Sequence, residues 1–116
     1  MTDKHHTINY LELPATDLPA TKTFYGSVFG WQFTDWGPEY ISFAGAAIEG
    51  GFCSDGAATP QPLGVLVVLY SSDLGQTEIA IKEAGGEIVL PTFDFPGGRR
   101  FHFKDPNGNE LAVWSE

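Results

Sequence analysis

The sequence predicts an α+β fold of two successive βαβββ modules. An offset of 56 residues, close to half of the 116, carries Asp17-Leu18 onto Asp73-Leu74 and Gly30 onto Gly86. It also carries Leu18, Thr21, Tyr25 and Val28 onto Leu74, Thr77, Ile81 and Ala84. Both sets run i, i+3, i+7, i+10, the stripe by which an amphipathic helix rests one face on a core. Around each stripe lie short apolar runs punctuated by Gly, Pro and Asp, which read as strands.

In the first half a strand is predicted over 8–13, with Leu11 and Leu13 on one face and Ile8, Tyr10 and Glu12 on the other, because side chains alternate with period two. Asp17 is a suitable N-cap, and Pro19 falls in the first helical turn, where its missing N–H has no partner to lose. The helix ends by Gly30. Strands follow over 31–35, 40–44 and 46–53, broken by Gly37-Pro38 and bent at Gly45 and Gly50-Gly51.

In the second half residues 65–70 form a strand apolar on both faces, a helix covers 73–84 and stops at Gly85-Gly86, and strands cover 87–92, 99–104 and 109–115. Asp105-Pro106-Asn107-Gly108 has Asp at i, Pro at i+1 and Gly at i+3 of a type I turn, and joins the last two strands as a hairpin. Residues 93–98, with Pro96-Gly97-Gly98, read as a loop and as the rim of a cavity. The chain is thus read as a single domain with module 1 at about 6–53, a connector at 54–62, and module 2 at about 63–116.

Composition narrows the partners. Six Lys plus Arg against fifteen Asp plus Glu give a net charge of −9, which repels nucleic-acid phosphates and anionic lipid headgroups. No nucleic acid and no membrane are expected as partners. Apolar residues at 42% and charged residues at 18% suit a folded core rather than a disordered chain. The single Cys53 can form neither an internal disulfide nor a thiolate cluster and reads as a small buried residue; a reducing, cytoplasmic location is expected. The polar start, with no apolar run of the ~20 residues that a spanning helix needs, predicts a protein neither exported nor inserted in a membrane. Phosphate-loop, nucleophile-elbow and zinc-type cysteine motifs are absent from the sequence.

The element order, together with Asp17-Leu18, Phe24-Tyr25 and Phe29-Gly30-Trp31 early and Phe103-Lys104-Asp105-Pro106-Asn107-Gly108-Asn109-Glu110-Leu111 late, resembles the vicinal oxygen chelate superfamily. That superfamily includes glyoxalase I, bleomycin-resistance proteins, fosfomycin-resistance enzymes and extradiol dioxygenases. The resemblance implies two modules whose strands curve into a cup-like mixed sheet holding a small molecule, and a homodimer. In the enzymes it also implies a divalent metal held by His or Glu from the first and last strands of each module.

Carried onto this sequence, the ligand positions fall on Ile8, on Val65 within Val65-Leu66-Val67-Val68-Leu69, on Ala112, and within 46–52, where Glu49 is the only donor. A divalent ion needs several converging donors, so no metal and no cofactor are expected at this inherited site. An atypical set drawn from His6, Glu12, Glu49 and His102 stays open beside the reading of His5-His6 as a solvated terminus.

Strand alternation places Tyr10, Glu12, Arg100, His102, Ala112 and Trp114 inside the cup, with Tyr40, Ser42, Glu49 and Phe52 as further lining residues. Such an aromatic wall with a few polar groups suits a small-molecule pocket, and its acidic groups favour a cationic guest. Trp31 and Trp36 read as packing residues. Trp114 is open between packing and lining, and His102 between a hydrogen bond to a sheet neighbour and lining. The expected function is a glyoxalase/bleomycin-resistance-like protein binding a small organic molecule in a metal-free cup. Two alternatives stand beside it. One is a lyase, isomerase or dioxygenase using an atypical metal set, or Glu12 and His102 as general base and acid. The other is an interaction domain whose cup is filled by its own side chains.

Overall fold

A computed structural model describes residues 5–6, 8–55 and 65–116. Most of the connector predicted over 54–62 lies outside the described residues. The chain divides into two compact units, residues 1–59 and 60–116. The first contains β1 (Tyr10–Pro14), α1 (Leu18–Phe29), β2 (Gln32–Asp35), β3 (Tyr40–Ala44) and β4 (Glu49–Cys53). The second contains β5 (Val67–Tyr70), α2 (Leu74–Glu83), β6 (Glu87–Phe95), β7 (Gly98–Lys104) and β8 (Glu110–Ser115).

The two units share one topology. Their sheets run β1-β4-β3-β2 and β5-β8-β7-β6. In each, the first strand lies parallel to the last and the remaining pairs are antiparallel. The helix is what permits this, since parallel strands need a long crossover connection. The α+β fold with two mixed four-stranded sheets is therefore the one the repeat predicts.

The helix ends follow from local chemistry. The Asp17 carboxylate accepts from the Ala20 N–H at 2.9 Å and the Asp73 carboxylate from the Gln76 N–H at 3.2 Å, each satisfying a donor that has no partner inside the helix. Gly30, at φ 74°, ends α1 in the left-handed region. In α2 that role falls to Gly85, at φ 94°, one residue before the Gly86 that the offset had matched to Gly30. Gly86 instead donates its N–H to the Ile81 carbonyl at 2.8 Å, closing the helix end.

Each helix covers one face of its own sheet. In the first unit Phe24 and Tyr25 of α1 and Ile41, Phe43 and Phe52 of the sheet are all buried, with Tyr25 against Phe52. Trp31 stacks between Tyr25 (4.8 Å between centroids) and Phe43 (4.6 Å), so its reading as a packing residue holds. Trp36 departs from that reading: it is 64% exposed and its indole Nε1 donates to Ser42 Oγ at 2.8 Å. In the second unit Leu74 and Ile81 of α2 are buried, as are Phe101 and Phe103 of β7 and Leu111 and Val113 of β8.

The largest departure from the sequence reading lies at 93–98. These residues are not a loop but the closing end of a long hairpin, with β6 reaching Phe95 and β7 starting at Gly98. The pairing begins as Ile88 opposite Phe103, becomes Leu90 opposite His102, and ends as Phe93 opposite Arg100, so β6 takes up two extra residues at irregularities in the ladder. Pro91 sits in the second of them, on an edge strand, where a residue with no N–H is tolerated.

The next hairpin is held by Asp105. Its Oδ1 accepts from the Asn107 and Asn109 N–H groups, both at 2.9 Å, and Asn109 Nδ2 donates to Oδ2 at 3.1 Å. All three residues are buried, which their mutual bonding permits. Among the described residues no helix is long and apolar enough to cross a membrane.

Candidate functional site

With its helix on one side, each sheet turns its other face outward. In the first unit alternation puts Tyr10 and Glu12 of β1, Gln32 and Thr34 of β2, Tyr40 and Ser42 of β3, and Glu49 of β4 on that open face. Tyr40 donates its hydroxyl proton to Glu12 Oε1 at 3.0 Å, leaving the Tyr40 oxygen to accept from the Tyr10 hydroxyl. Burial, then the bonds to Tyr10 and Glu12, push the Tyr40 phenol well above its ordinary value near 10.

The contact needs Gly51. This residue pairs with Glu12 on one side and Ser42 on the other, and a Cβ there would lie 2.5 Å from the Tyr40 hydroxyl oxygen. The ring therefore crosses β4 over a bare backbone to reach β1. Beside it, Tyr10, Gln32, Thr34, Ser42 and Glu49 border an open hollow of about 280 Å³.

Phe52 does not belong to this face. It is fully buried, 5.1 Å from Tyr25 and 5.7 Å from Phe43 between ring centroids. Glu49 and Phe52 are three residues apart on one strand, so alternation does not allow both to line the same face. In β4 Glu49 and Gly51 point outward while Gly50 and Phe52 face the helix.

In the second unit the open face carries a continuous row. Tyr70 pairs with Trp114, Trp114 with Arg100, and Arg100 with Phe93, one residue from each of the four strands. Tyr70 and Trp114 meet edge to face at 5.1 Å. The Arg100 guanidinium carbon lies 5.3 Å from the Phe93 centroid and 5.7 Å from that of Phe95, within cation–π range. Val68, Phe95, Pro96, Gly97, Arg100 and Trp114 line a hollow of about 340 Å³. Segment 93–98 thus supplies the rim of a cavity, as strand and tight turn rather than as loop.

In the next row Val68 pairs with Ala112 and Ala112 with His102, so both His102 and Ala112 lie on the open side, although each is buried by its neighbours. His102 Nδ1 lies 2.8 Å from Glu110 Oε2, the hydrogen bond to a neighbouring strand that one of the two readings expected. A carboxylate oxygen accepts, so that bond places a proton on Nδ1. Nε2 is buried without a partner among the described residues.

The predicted lining residues therefore separate into three sets. Tyr10, Glu12, Tyr40, Ser42 and Glu49 share the open face of the first unit. Arg100, His102 and Trp114 share that of the second. Phe52 belongs to the core. Sequence reasoning missed Trp36, Gln32 and Thr34 in the first unit and Val68, Phe93, Phe95 and Glu110 in the second. Pro91, inside a strand-like run, was the available signal that the β6 ladder is irregular.

The donors do not fit a divalent metal. Among the described residues no three His, Cys, Asp or Glu side chains come together as a metal ion requires. Of the positions carried over from the resemblance, Ile8 and Val65 are exposed apolar residues, Ala112 has no donor, and Glu49 alone carries a carboxylate. Cys53 is half-buried rather than fully buried. A backbone hydrogen bond at Asp55 lowers its thiol, but desolvation and the Asp55 carboxylate outweigh that and raise it, away from nucleophilic character.

Comparison with known proteins agrees with this architecture. The chain is 27% identical over 124 residues to the "Putative glyoxylase CFP32" of Mycobacterium bovis, a match covering 93% of this chain and 45% of that protein. It is 28% identical over 129 residues to the anthracycline biosynthesis protein DauV of a Streptomyces species, covering 90% of this chain and 45% of that one. It thus spans about half the length of these curated relatives. A glyoxalase-related enzyme from Fulvimarina pelagi superposes with a TM-score of 0.79 at 22% identity, covering 96% of this chain and 88% of the other. The model of the glyoxalase/bleomycin resistance protein/dioxygenase superfamily matches residues 7–113. With that match over nearly its whole length, and with its paired βαβββ units, the chain belongs to the glyoxalase/bleomycin resistance protein/dioxygenase superfamily.

Proposed function

We propose that this protein binds a small organic molecule on the open face of its second unit, with no metal ion in the site. One observation carries the reading: the hollow of about 340 Å³ has walls of Val68, Phe95, Pro96 and Trp114 and one convergent cation, Arg100. Small-molecule sites combine apolar and aromatic walls with a few polar groups in this way, at volumes upward of ~300 Å³. The name of the relative DauV, an anthracycline biosynthesis protein, supports an organic ligand. The donor set supports the metal-free part, because one carboxylate among the carried-over positions cannot hold a divalent ion.

The test is a thermal-shift screen of organic compounds and divalent metals on untagged, chelator-treated protein, with metal analysis of the protein as purified. An organic ligand at 100 times its dissociation constant is expected to stabilise by about 2.7 kcal/mol. A response to metals alone would sink the reading.

A second reading, acid–base catalysis, is favoured by the His102–Glu110 pair at 2.8 Å. A base held in one tautomer by a carboxylate, with its other nitrogen unpartnered, is the arrangement proton abstraction uses. Glu12, the other group weighed for such chemistry, already accepts from Tyr40. With a ligand from the screen that is also turned over, His102→Gln is expected to lower kcat at least ~100-fold with little change in Kd. An unchanged kcat would remove His102 from the chemistry.

A further inference from the structure

We propose that the hollow of the second unit selects a flat aromatic molecule bearing an anionic oxygen group, with Arg100 as the anchor of that group. This rests on the binding reading above and reverses the cationic guest expected from the acidic groups of the predicted lining.

Arg100 is an unmatched cation in a chain of net charge −9. Among the described residues no carboxylate lies within ion-pair distance of it, although fifteen Asp and Glu are available. Of the acids of its own unit, Glu110 meets His102, Glu116 accepts from the Tyr70 hydroxyl, Glu78 pairs with Lys82, and Asp94 stands opposite Arg99. Its Nε is buried and has no acceptor among the described residues.

Phe93 and Phe95 supply the guanidinium with ring surface but no oxygen. Ring contact leaves the in-plane N–H donors unused, and a planar fork of that kind matches a carboxylate or similar oxyanion. The rest of the ligand would lie on Trp114, Phe95, Pro96 and Val68, a wall with no carboxylate to attract a cation. A flat ring offers such a wall the largest contact for the least lost conformational freedom.

Three probes of nearly equal shape test this: 1-naphthoate, 1-naphthalenemethanol and 1-naphthylmethylammonium, titrated into the full chain by calorimetry at one salt concentration. Naphthoate is expected to bind at least tenfold more tightly than either of the others. In Arg100→Gln that advantage is expected to vanish while the Kd of the neutral alcohol stays within about twofold. Arg100→Lys, which keeps the charge without the fork, is expected to retain part of it.

Equal binding of the three probes, a preference for the ammonium, or an advantage that survives in Arg100→Gln would overturn the assignment of Arg100 and leave the binding reading standing. Failure of all three to bind would overturn the flat aromatic ligand, while the binding reading answers to the thermal-shift screen above. The ranking in the unsubstituted protein decides the matter even if Arg100→Gln does not fold.

Discussion

Gly51 shows how one absent side chain organises the open face of the first unit. An added Cβ would meet the Tyr40 hydroxyl at 2.5 Å and the Ile41 carbonyl oxygen at 2.7 Å, and because the second contact is backbone, swinging the tyrosine aside does not relieve it. Gly51→Ala is therefore expected to cost ~1–3 kcal/mol, the usual penalty of overpacking, read as a lower denaturant midpoint. A midpoint equal to that of the unsubstituted chain would mean that β4 is not held where the sheet register places it. The tyrosine has its own signature. Its raised pKa means that the folded state keeps a proton which the unfolded chain releases near 10, so the stabilisation is complete below that pH and declines as pH rises beyond it. Tyr40→Phe removes this dependence. Between about pH 9 and about pH 11 the unsubstituted protein is expected to lose more stability than Tyr40→Phe, measured as urea midpoints at both values.

Among the elements, the helix caps and the turn at Asp105 differ in what they hold. Asp73 satisfies one exposed amide of α2, so Asp73→Ala is expected to cost ~1 kcal/mol. Asp105 is buried and serves Asn107 and Asn109, so its loss strands several buried donors at once; Asp105→Ala is expected to cost roughly 3 kcal/mol, measured against Asp73→Ala in the same denaturation series. Equal costs would show that the turn relaxes to let water in. Both features were legible in the sequence because they are local: a cap acts within three residues, and Asp-Pro-Asn-Gly carries its own turn geometry. The stripe from Leu18 to Val28 was legible for the same reason. The β6 pairing was not, because register is decided by which strand lies opposite, and each extra residue turns the following side chains to the other face. Phe93 and Phe95 escaped notice because Pro96-Gly97-Gly98 marked 93–98 as a loop and the strand was read as ending at 92, while Arg100 and Trp114, on regularly paired β7 and β8, were placed by alternation alone. Phe52 was misassigned against alternation itself, because three residues from Glu49 on one strand it must face the other side.

For the molecule as a whole, the repeat yields two units of one topology whose open faces differ in chemistry. The first presents Glu12, Glu49 and hydroxyl groups, the second an arginine in an aromatic row. The net charge of −9 bears on any ligand long before it reaches either face. An anion bound for Arg100 must approach against that field, whose reach is ~30 Å at 0.01 M salt and ~8 Å at 0.15 M. The final contact acts over a few ångströms beside apolar rings and is screened much less. Raising the salt over that range is therefore expected to increase the association rate of 1-naphthoate severalfold while changing its dissociation rate less, the reverse of a ligand steered in by opposite charge. Stopped-flow tryptophan quenching measures both rates. An association rate that falls with salt would mean that the approaching anion experiences Arg100 rather than the acidic surface, and that the charge of the chain as a whole has no part in admitting its ligand.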